Sequence, residues 1–294
     1  MPASTPQTVG DITAALDAAY PPVLAEPWDA VGLVCGDPGE PVHRILVCVD
    51  VVEATLAEAT ELDAQLIVAH HPLLLRGVHG VAADTSKGRL VHRMIRSGIA
   101  LFCAHTNADS ANPGVSDALA DTLGLTVLGP LAPHSEQGDT GIGRIGELSE
   151  PEPLAVFVRR VADALPRTQP GVHGAGDRDR PIRTVAVSGG AGDSYLAAAT
   201  AAGVDAYVTA DLRHHPASEH LEPAALLGAT VPALVGVTHW ASEWPWCEQA
   251  AGIIRAARPG TVEVHVSHRC TDPWTVSADG AESEGSNPVR KQTQ

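Results

Sequence analysis

LIVAHHPLL, residues 66–74, sets four apolar residues against His70, His71 and Pro72. An unbroken apolar run of this length reads as a strand buried on both faces, and the proline after the histidines stops any further pairing. Successive side chains on a strand point to opposite faces, so His70 and His71 cannot address one point from within regular sheet. Either one ring is idle or the strand has already ended. The second reading puts both histidines beyond the carboxyl end of a buried strand, where an open α/β sheet gathers its ligand-binding loops.

Working outward, strand and helix signals alternate in both directions. Upstream lie the helix DITAALDAAY (11–20), stopped by Pro21 and Pro22, the strand RILVCVD (44–50) and the helix VVEATLAEATELD (51–63). Downstream follow the helix KGRLVHRMIRSG (87–98), the strand IALFCA (99–104) and the helix GVSDALADTLG (114–124). These predict a first α/β half over residues 1–130. Residues 129–153, rich in Gly, Pro and charge, read as a loop enclosing one short strand. A second series then runs through the helix LAVFVRRVADAL (154–165), a Pro- and Gly-rich connection, the strand IRTVAVSGG (182–190), the helix SYLAAATAAG (194–203) and the strand VDAYVTA (204–210). A helix after HHPAS (214–218), the strand VPALVGVT (231–238), the helix WCEQAAGIIRAA (246–257) and the strand TVEVHVS (261–267) close it. The expected fold class is therefore α/β, with a second half over 131–276 and a polar tail, 277–294, predicted to be disordered.

Composition narrows the function classes. Aromatic residues are only 3% of the 294, which suits α/β layers, and the formal charge of −16 is spread along the chain, with only a short basic run, VRKQ, near the end. Such a surface repels polyanions, so nucleic acid is ranked low as a partner. No stretch approaches the roughly 18 apolar residues of a membrane span, and the amino terminus lacks a secretory pattern, so a cytoplasmic protein is expected. Five scattered cysteines (Cys35, Cys48, Cys103, Cys247, Cys270) without C-x-x-C spacing indicate neither a disulfide framework nor a cysteine zinc site.

The two halves punctuate alike. One strand ends in HHP (70–72) and a later one in HTNAD, with His105 and Asp109 four apart; then YVTADLRHHP carries His214, His215 and Pro216, and THWASE sets His239 and Glu243 four apart. Imidazole and carboxylate ligands suit Zn, Mn, Fe, Co or Ni, and an H-x-x-x-D/E spacing puts both side chains on one face of a helical turn. In a two-metal centre the ions lie about 3.5–4 Å apart, which lets adjacent histidines serve different ions. A lone histidine at a strand end is more often packed or solvated. The ensemble His70, His71, Asp109, His239 and Glu243 favours ligation, while His79, His92, His134, His173, His220 and His265 read as ordinary. In VAVSGGAGDS, Gly189, Gly190 and Gly192 either present backbone amides to an anion or simply make a tight turn. Trp28 and Asp29 either line a cleft or anchor the N-terminal segment.

AEPWDAVGLVCGD, HHPLL, AHTNAD, GVSDALADTLGL, GIGRIGEL, SGGAGDS, GVDAYVTADLRHHP and THWASE, in that order, resemble the dinuclear metal centre proteins often labelled GTP cyclohydrolase I type 2 homologues, also called Ngg-interacting-factor-three-like. The resemblance runs from about residue 9 to 274. It implies two related α/β subdomains with a metal-binding cleft between them, a toroidal homohexamer and two divalent ions of open identity. It also implies His70, His71, Asp109, His239 and Glu243 as ligands, Glu243 as the bridging carboxylate, and His105 as an orienting or substrate-contacting group. THWASE departs from the usual GHYxSE, losing a tyrosine, and Asp211 stands where Glu is common. The expected function is a metal-dependent hydrolase of a small nucleotide-like or phosphorylated molecule, with His105, His214 or His215 moving the proton. The label suggests opening of the guanine ring of GTP. A non-enzymatic metal-holding ring or protein-docking scaffold is the alternative.

Overall fold

Leu66–Ala69 is a strand, buried at all four positions. The computed structural model describes residues 6–136 and 138–278; the tail expected over 277–294 lies, past residue 278, outside the described residues. In chain order the elements are β1 (Gln7–Thr8), α1 (Val9–Ala19), β2 (Gly32–Cys35), β3 (Pro41–Val42), β4 (Arg44–Cys48), α2 (Glu53–Glu61), β5 (Leu66–Ala69), α3 (Ser86–Arg96), β6 (Ala100–Cys103), α4 (Thr106–Ser110) and α5 (Val115–Thr122). There follow β7 (Thr126–Pro133), β8 (Gly141–Pro153), α6 (Leu154–Ala164), β9 (His173–Ala175), β10 (Pro181–Ala191), α7 (Leu196–Ala202), β11 (Ala206–Ala210), α8 (His214–Leu227), β12 (Ala233–Val237), α9 (His239–Ala257) and β13 (Glu263–Val266).

Two larger sheets carry the fold, ordered β13-β4-β5-β6-β2 and β7-β8-β10-β11-β12-β9. Each contains a parallel trio joined by crossover helices, β4-β5-β6 in the first and β10-β11-β12 in the second. Parallel strands covered on both faces read as continuous apolar runs, which is why these six were legible. Helix ends follow local chemistry as well. Thr8 caps α1 in a capping box with Asp11, and Val9, Ile12 and Leu16 form its buried stripe.

Helices α5 and α9 contact β10 of the second sheet, and α9 also packs on β4 and β13 of the first. One apolar core is therefore shared: Ile45 and Val47, Val185 and Val187, Val115 and Leu119, and Trp246 and Ile254 belong to a single cluster. Trp246 is fully buried within it, and truncating a core tryptophan typically costs about 3–5 kcal/mol.

Three expectations need correction. Residues 129–153 are not a loop around one short strand but most of two long antiparallel strands, β7 and β8, and β8 pairs with both β7 and β10. Prolines fit because β7 is an edge strand, and glycines fit because a Cβ on Gly141 would lie 2.3 Å from the Ala132 carbonyl oxygen. Buried Arg144 pins β8 to the layer below, 2.7 Å from Asp117 and donating to the carbonyls of Gly141 and Gly143. The strand expected to close the second series, β13, pairs in parallel with β4 of the first sheet, Val264 opposite Ile45. Helix α9 begins at His239, seven positions earlier than its apolar pattern suggests, so His239 and Glu243 stand on its first turns.

Candidate metal centre

Strand ends deliver the side chains. After β5 the backbone keeps bonding to the neighbouring chain, the His70 amide donating to the Cys48 carbonyl (3.1 Å) and the His71 amide to that of Val49 (2.9 Å). The rings still reach one group. His70 Nε2 lies 3.5 Å from Glu243 Oε1, and His71 Nε2 lies 3.1 Å from Oε2, so the adjacent histidines straddle a single carboxylate. His105, two residues past β6, precedes the short helix α4, whose Asp109 places Oδ1 3.7 Å from His70 Nε2. His239, two residues past β12, opens α9 and sets Nε2 3.1 Å from Glu243 Oε1 and 3.2 Å from His71 Nε2. Two ligand-atom triads result, each within 4.8 Å: His70, His71 and His105, and His71, His239 and Glu243.

All four rings are held from behind by an oxygen. The Nδ1–H groups donate to the Ala104 carbonyl from His70 (2.8 Å), to Asp50 from His71 (2.7 Å), to Asp29 from His105 (2.8 Å) and to Asp211 from His239 (2.7 Å). Such bonds fix the tautomer and turn each Nε2 toward the centre, the usual support of metal-ligating histidine. Two atoms at that centre, His70 Nε2 and Glu243 Oε2, are buried without a hydrogen-bond partner. A buried imidazole nitrogen with no hydrogen-bond partner, crowded against a carboxylate whose close polar neighbours are other rings, is a costly arrangement that a cation would relieve.

Electrostatics agree. Burial opposes charge on His71, but Glu243 and Asp50 outweigh it and hold its pKa up at about 11. His239 is raised to about 9 by Glu243 and Asp211 against the same penalty. Burial likewise works against ionised Glu243, yet His71, His70 and His239 keep its pKa well below the ordinary carboxylate range. Without an ion the cluster gathers positive charge on its rings around one carboxylate, the position a metal cation would take over.

Two cavities flank the cluster. One, of about 450 Å³, is lined by Trp28, His105, Asp109, Tyr195 and Glu243, with Gly189 and Gly190 in its wall. Another, of about 530 Å³, meets the cluster through His71, and His239 borders both. The three glycines spend their amides inside the fold: Gly189 donates to Ser116 (3.4 Å), Gly190 to Ser242 (2.9 Å) and Gly192 to the Ala210 carbonyl (3.3 Å). What glycine supplies is clearance. A Cβ on Gly190 would lie 2.4 Å from Glu243 Oε1, and one on Gly192 2.1 Å from Thr209 Oγ1. His214 and His215 stand exposed at the start of α8, ring against ring at 5.2 Å, with no hydrogen bond to the cluster among the described residues.

Sequence reasoning missed the oxygens behind the rings. Asp50 and Asp211 follow the ends of β4 and β11, so a carboxylate just past a buried strand was the available signal. Of the two roles open for Asp29, the buried side chain takes the anchoring one: Oδ1 accepts from the His105 ring and Oδ2 from the Thr106 amide (2.9 Å), tying the N-terminal segment down, and it lines neither cavity. Trp28 lines the smaller cavity and meets the His105 ring edge-on at 6.0 Å.

Residues 7–273 match the family described as Duf34/NIF3 (NGG1p interacting factor 3). Over 280 residues the chain is 50% identical to a Streptomyces coelicolor protein named GTP cyclohydrolase 1 type 2 homolog, covering 93% of this chain and 95% of that one. A Mycobacterium tuberculosis protein of the same name is 40% identical, with 91% and 97% covered. Among solved structures, a Bacillus cereus protein related to NIF3 superposes with a TM-score of 0.80 at 25% identity, over 93% of this chain and 100% of the other. A Staphylococcus aureus hypothetical protein shares the fold, with a TM-score of 0.81 at 24% identity over 93% of this chain and 100% of the other.

Proposed function

This chain belongs to the Duf34/NIF3 family, and from that premise and the geometry of its histidines we propose a centre for two divalent ions that serves a hydrolase of small nucleotide-like or phosphorylated molecules. The observation that carries the proposal is the convergence of three imidazoles, His70, His71 and His239, on Glu243, with His105 beside His70 and His71, all four rings tied at Nδ1 and His70 Nε2 left without a hydrogen-bond partner. His70, His71, Asp109, His239 and Glu243 would hold the pair, with Glu243, three rings around its two oxygens, as the central carboxylate. When bound, such ions supply Lewis-acid polarisation and make water nucleophilic near neutral pH. Both subdomains contribute ligands, so the cleft between the two sheets is the site.

The substrate enters the smaller cavity. Trp28 and Tyr195 offer aromatic surface there for a planar ring. His105 lines the same cavity with Nδ1 held by Asp29, and its Nε2, which has no hydrogen bond among the described residues, carries the proton. His214 and His215 lie apart and take no step. The names of the relatives, GTP cyclohydrolase 1 type 2 homolog, support a purine nucleotide as the first substrate to try. The proposal includes a cytoplasmic homohexamer, for which light scattering after size-exclusion chromatography should read about six chain masses.

Elemental analysis of purified protein tests the centre, and about two transition-metal equivalents per chain are expected. The loaded protein is then offered a panel of nucleotides and phosphoesters, with Glu243→Gln as control. Absence of bound metal overturns the reading, as does turnover that survives unchanged in Glu243→Gln.

A further inference from the structure

The larger cavity has a chemistry of its own. Six of its lining residues are of metal-ligating type, namely Asp50, His71, His173, Asp211, His239 and Asp272, and neither lysine nor arginine lines it. Three carboxylates stand in one concave wall, and with Asp50 and Asp211 balanced by the rings of His71 and His239 the uncompensated charge is that of Asp272, which draws cations and turns phosphate away. Asp50 and Asp211 are occupied with the rings of His71 and His239. Asp272 and His173 are not part of that support, and each has an unexplained feature.

Asp272 is only 7% exposed, and while its Oδ1 accepts the Trp274 amide at 3.2 Å, its Oδ2 is buried with no partner. A buried carboxylate oxygen without a donor is expensive, and such a group points to a ligand that comes and goes. His173 stands on the edge strand β9, its ring laid over Gly236 of β12; a Cβ there would lie 2.4 Å from His173 Nε2. The imidazole makes no hydrogen bond or ion pair among the described residues. At the inner end, the His239 side chain is 34% exposed and borders both cavities, so one face of it is open to this side.

We propose that the larger cavity is the route by which divalent cations reach the cluster, with Asp272 and His173 as transient ligands that take an ion from water and hand it on to His239 and His71. The inference rests on the metal-centre reading above. Ligand exchange in steps suits it: carboxylate and imidazole replace part of the hydration shell before the final set replaces the rest, the Nε2 protons of His71 and His239 leave to solvent as the ion binds, and no electron changes hands. Ions and substrates then use opposite sides of one centre.

The test follows loading, not turnover. Metal-free full-length protein is mixed with Co²⁺ in a stopped-flow instrument, and the visible absorbance of the bound ion is followed for wild type, Asp272→Asn, His173→Gln and the double variant. Uptake should slow by about tenfold or more in the double variant, while the final metal content stays at the wild-type value. The wild-type rate should also fall as salt is raised. A double variant that loads at the wild-type rate overturns the route while leaving the centre intact. Lower metal content at equilibrium also overturns it, because Asp272 or His173 would then be a permanent ligand. If Asp272→Asn does not fold, His173→Gln on its exposed edge strand decides alone, a wild-type rate counting against the route. Wild type that takes up no Co²⁺ removes the centre and the route together.

Discussion

His70-His71-Pro72 and His214-His215-Pro216 share a sequence and have different surroundings. The first pair follows β5 directly and stays bonded to the chain beyond β4, which carries both rings to Glu243. The second pair starts four residues after β11; at Asp211 the backbone turns with φ 53°, and Arg213 caps a helix whose first residues face solvent. The position next to the strand, held by His70 in the first half, is held by Asp211 in the second. HTNAD and THWASE behave otherwise. In both, the histidine lies two residues beyond its strand and the acid lies four further on, and both pairs reach the cluster. Distance from the strand end, more than the motif itself, decides which residues become neighbours of the cluster.

The largest test of that contrast removes one pair and then the other. His71→Ala should lose at least one metal equivalent by elemental analysis, whereas His214→Ala combined with His215→Ala should keep the wild-type content. Metal loss from the second variant would make the two tripeptides equivalent. A smaller effect is expected behind the rings: Asp50→Asn and Asp211→Asn should each weaken metal affinity by about 10–100-fold in chelator competition, with Asp211 then joining the centre by function as well as by position.

Two glycines sharpen the point in stability. Gly203 has φ 68° with nothing within 4 Å of an added Cβ, so Gly203→Ala should cost about 1–2 kcal/mol of backbone strain in chemical melts. Gly190→Ala adds contact with Glu243 to a similar φ of 66°, and about 1–3 kcal/mol more is expected, with metal lost as well. A further signal lies in pH. His71 and His239 are raised from 6.5 to about 11 and about 9, so their contribution to the metal-free protein is complete below about pH 6.5 and declines as pH rises through 9 and then 11. Urea midpoints of metal-free protein across that range should fall in wild type and in the His214/His215 variant alike, and fall less in His71→Ala.

The cluster of His70, His71, Asp109, His239 and Glu243 was legible as a cluster because its signals are local: an apolar run, then histidine at a fixed offset, then an acid one helical turn later. The parallel trios were legible for the same reason. β7 and β8 were not, because a Pro-bearing edge strand and a Gly-bearing partner have weak apolar alternation and are held by pairing and by Arg144. The partner of β13 was not, because strand order is set by the closure of a sheet across more than two hundred residues. Asp29, Asp50 and Asp211 were read as unremarkable or left open, because a single acid acquires its duty only when a ring arrives from elsewhere in the chain.

The return of β13 to the first sheet has a consequence for the order of events during synthesis. Beyond it, the Ser267 amide bonds to the Val47 carbonyl at 2.8 Å, and the Thr271 hydroxyl bonds to Asp50, the carboxylate behind His71. A nascent chain lacking its last thirty or so residues has therefore neither that strand nor the hydroxyl that steadies Asp50. The support behind His71 is thus completed late, when the stretch around Thr271 emerges and laces back through the portion made first.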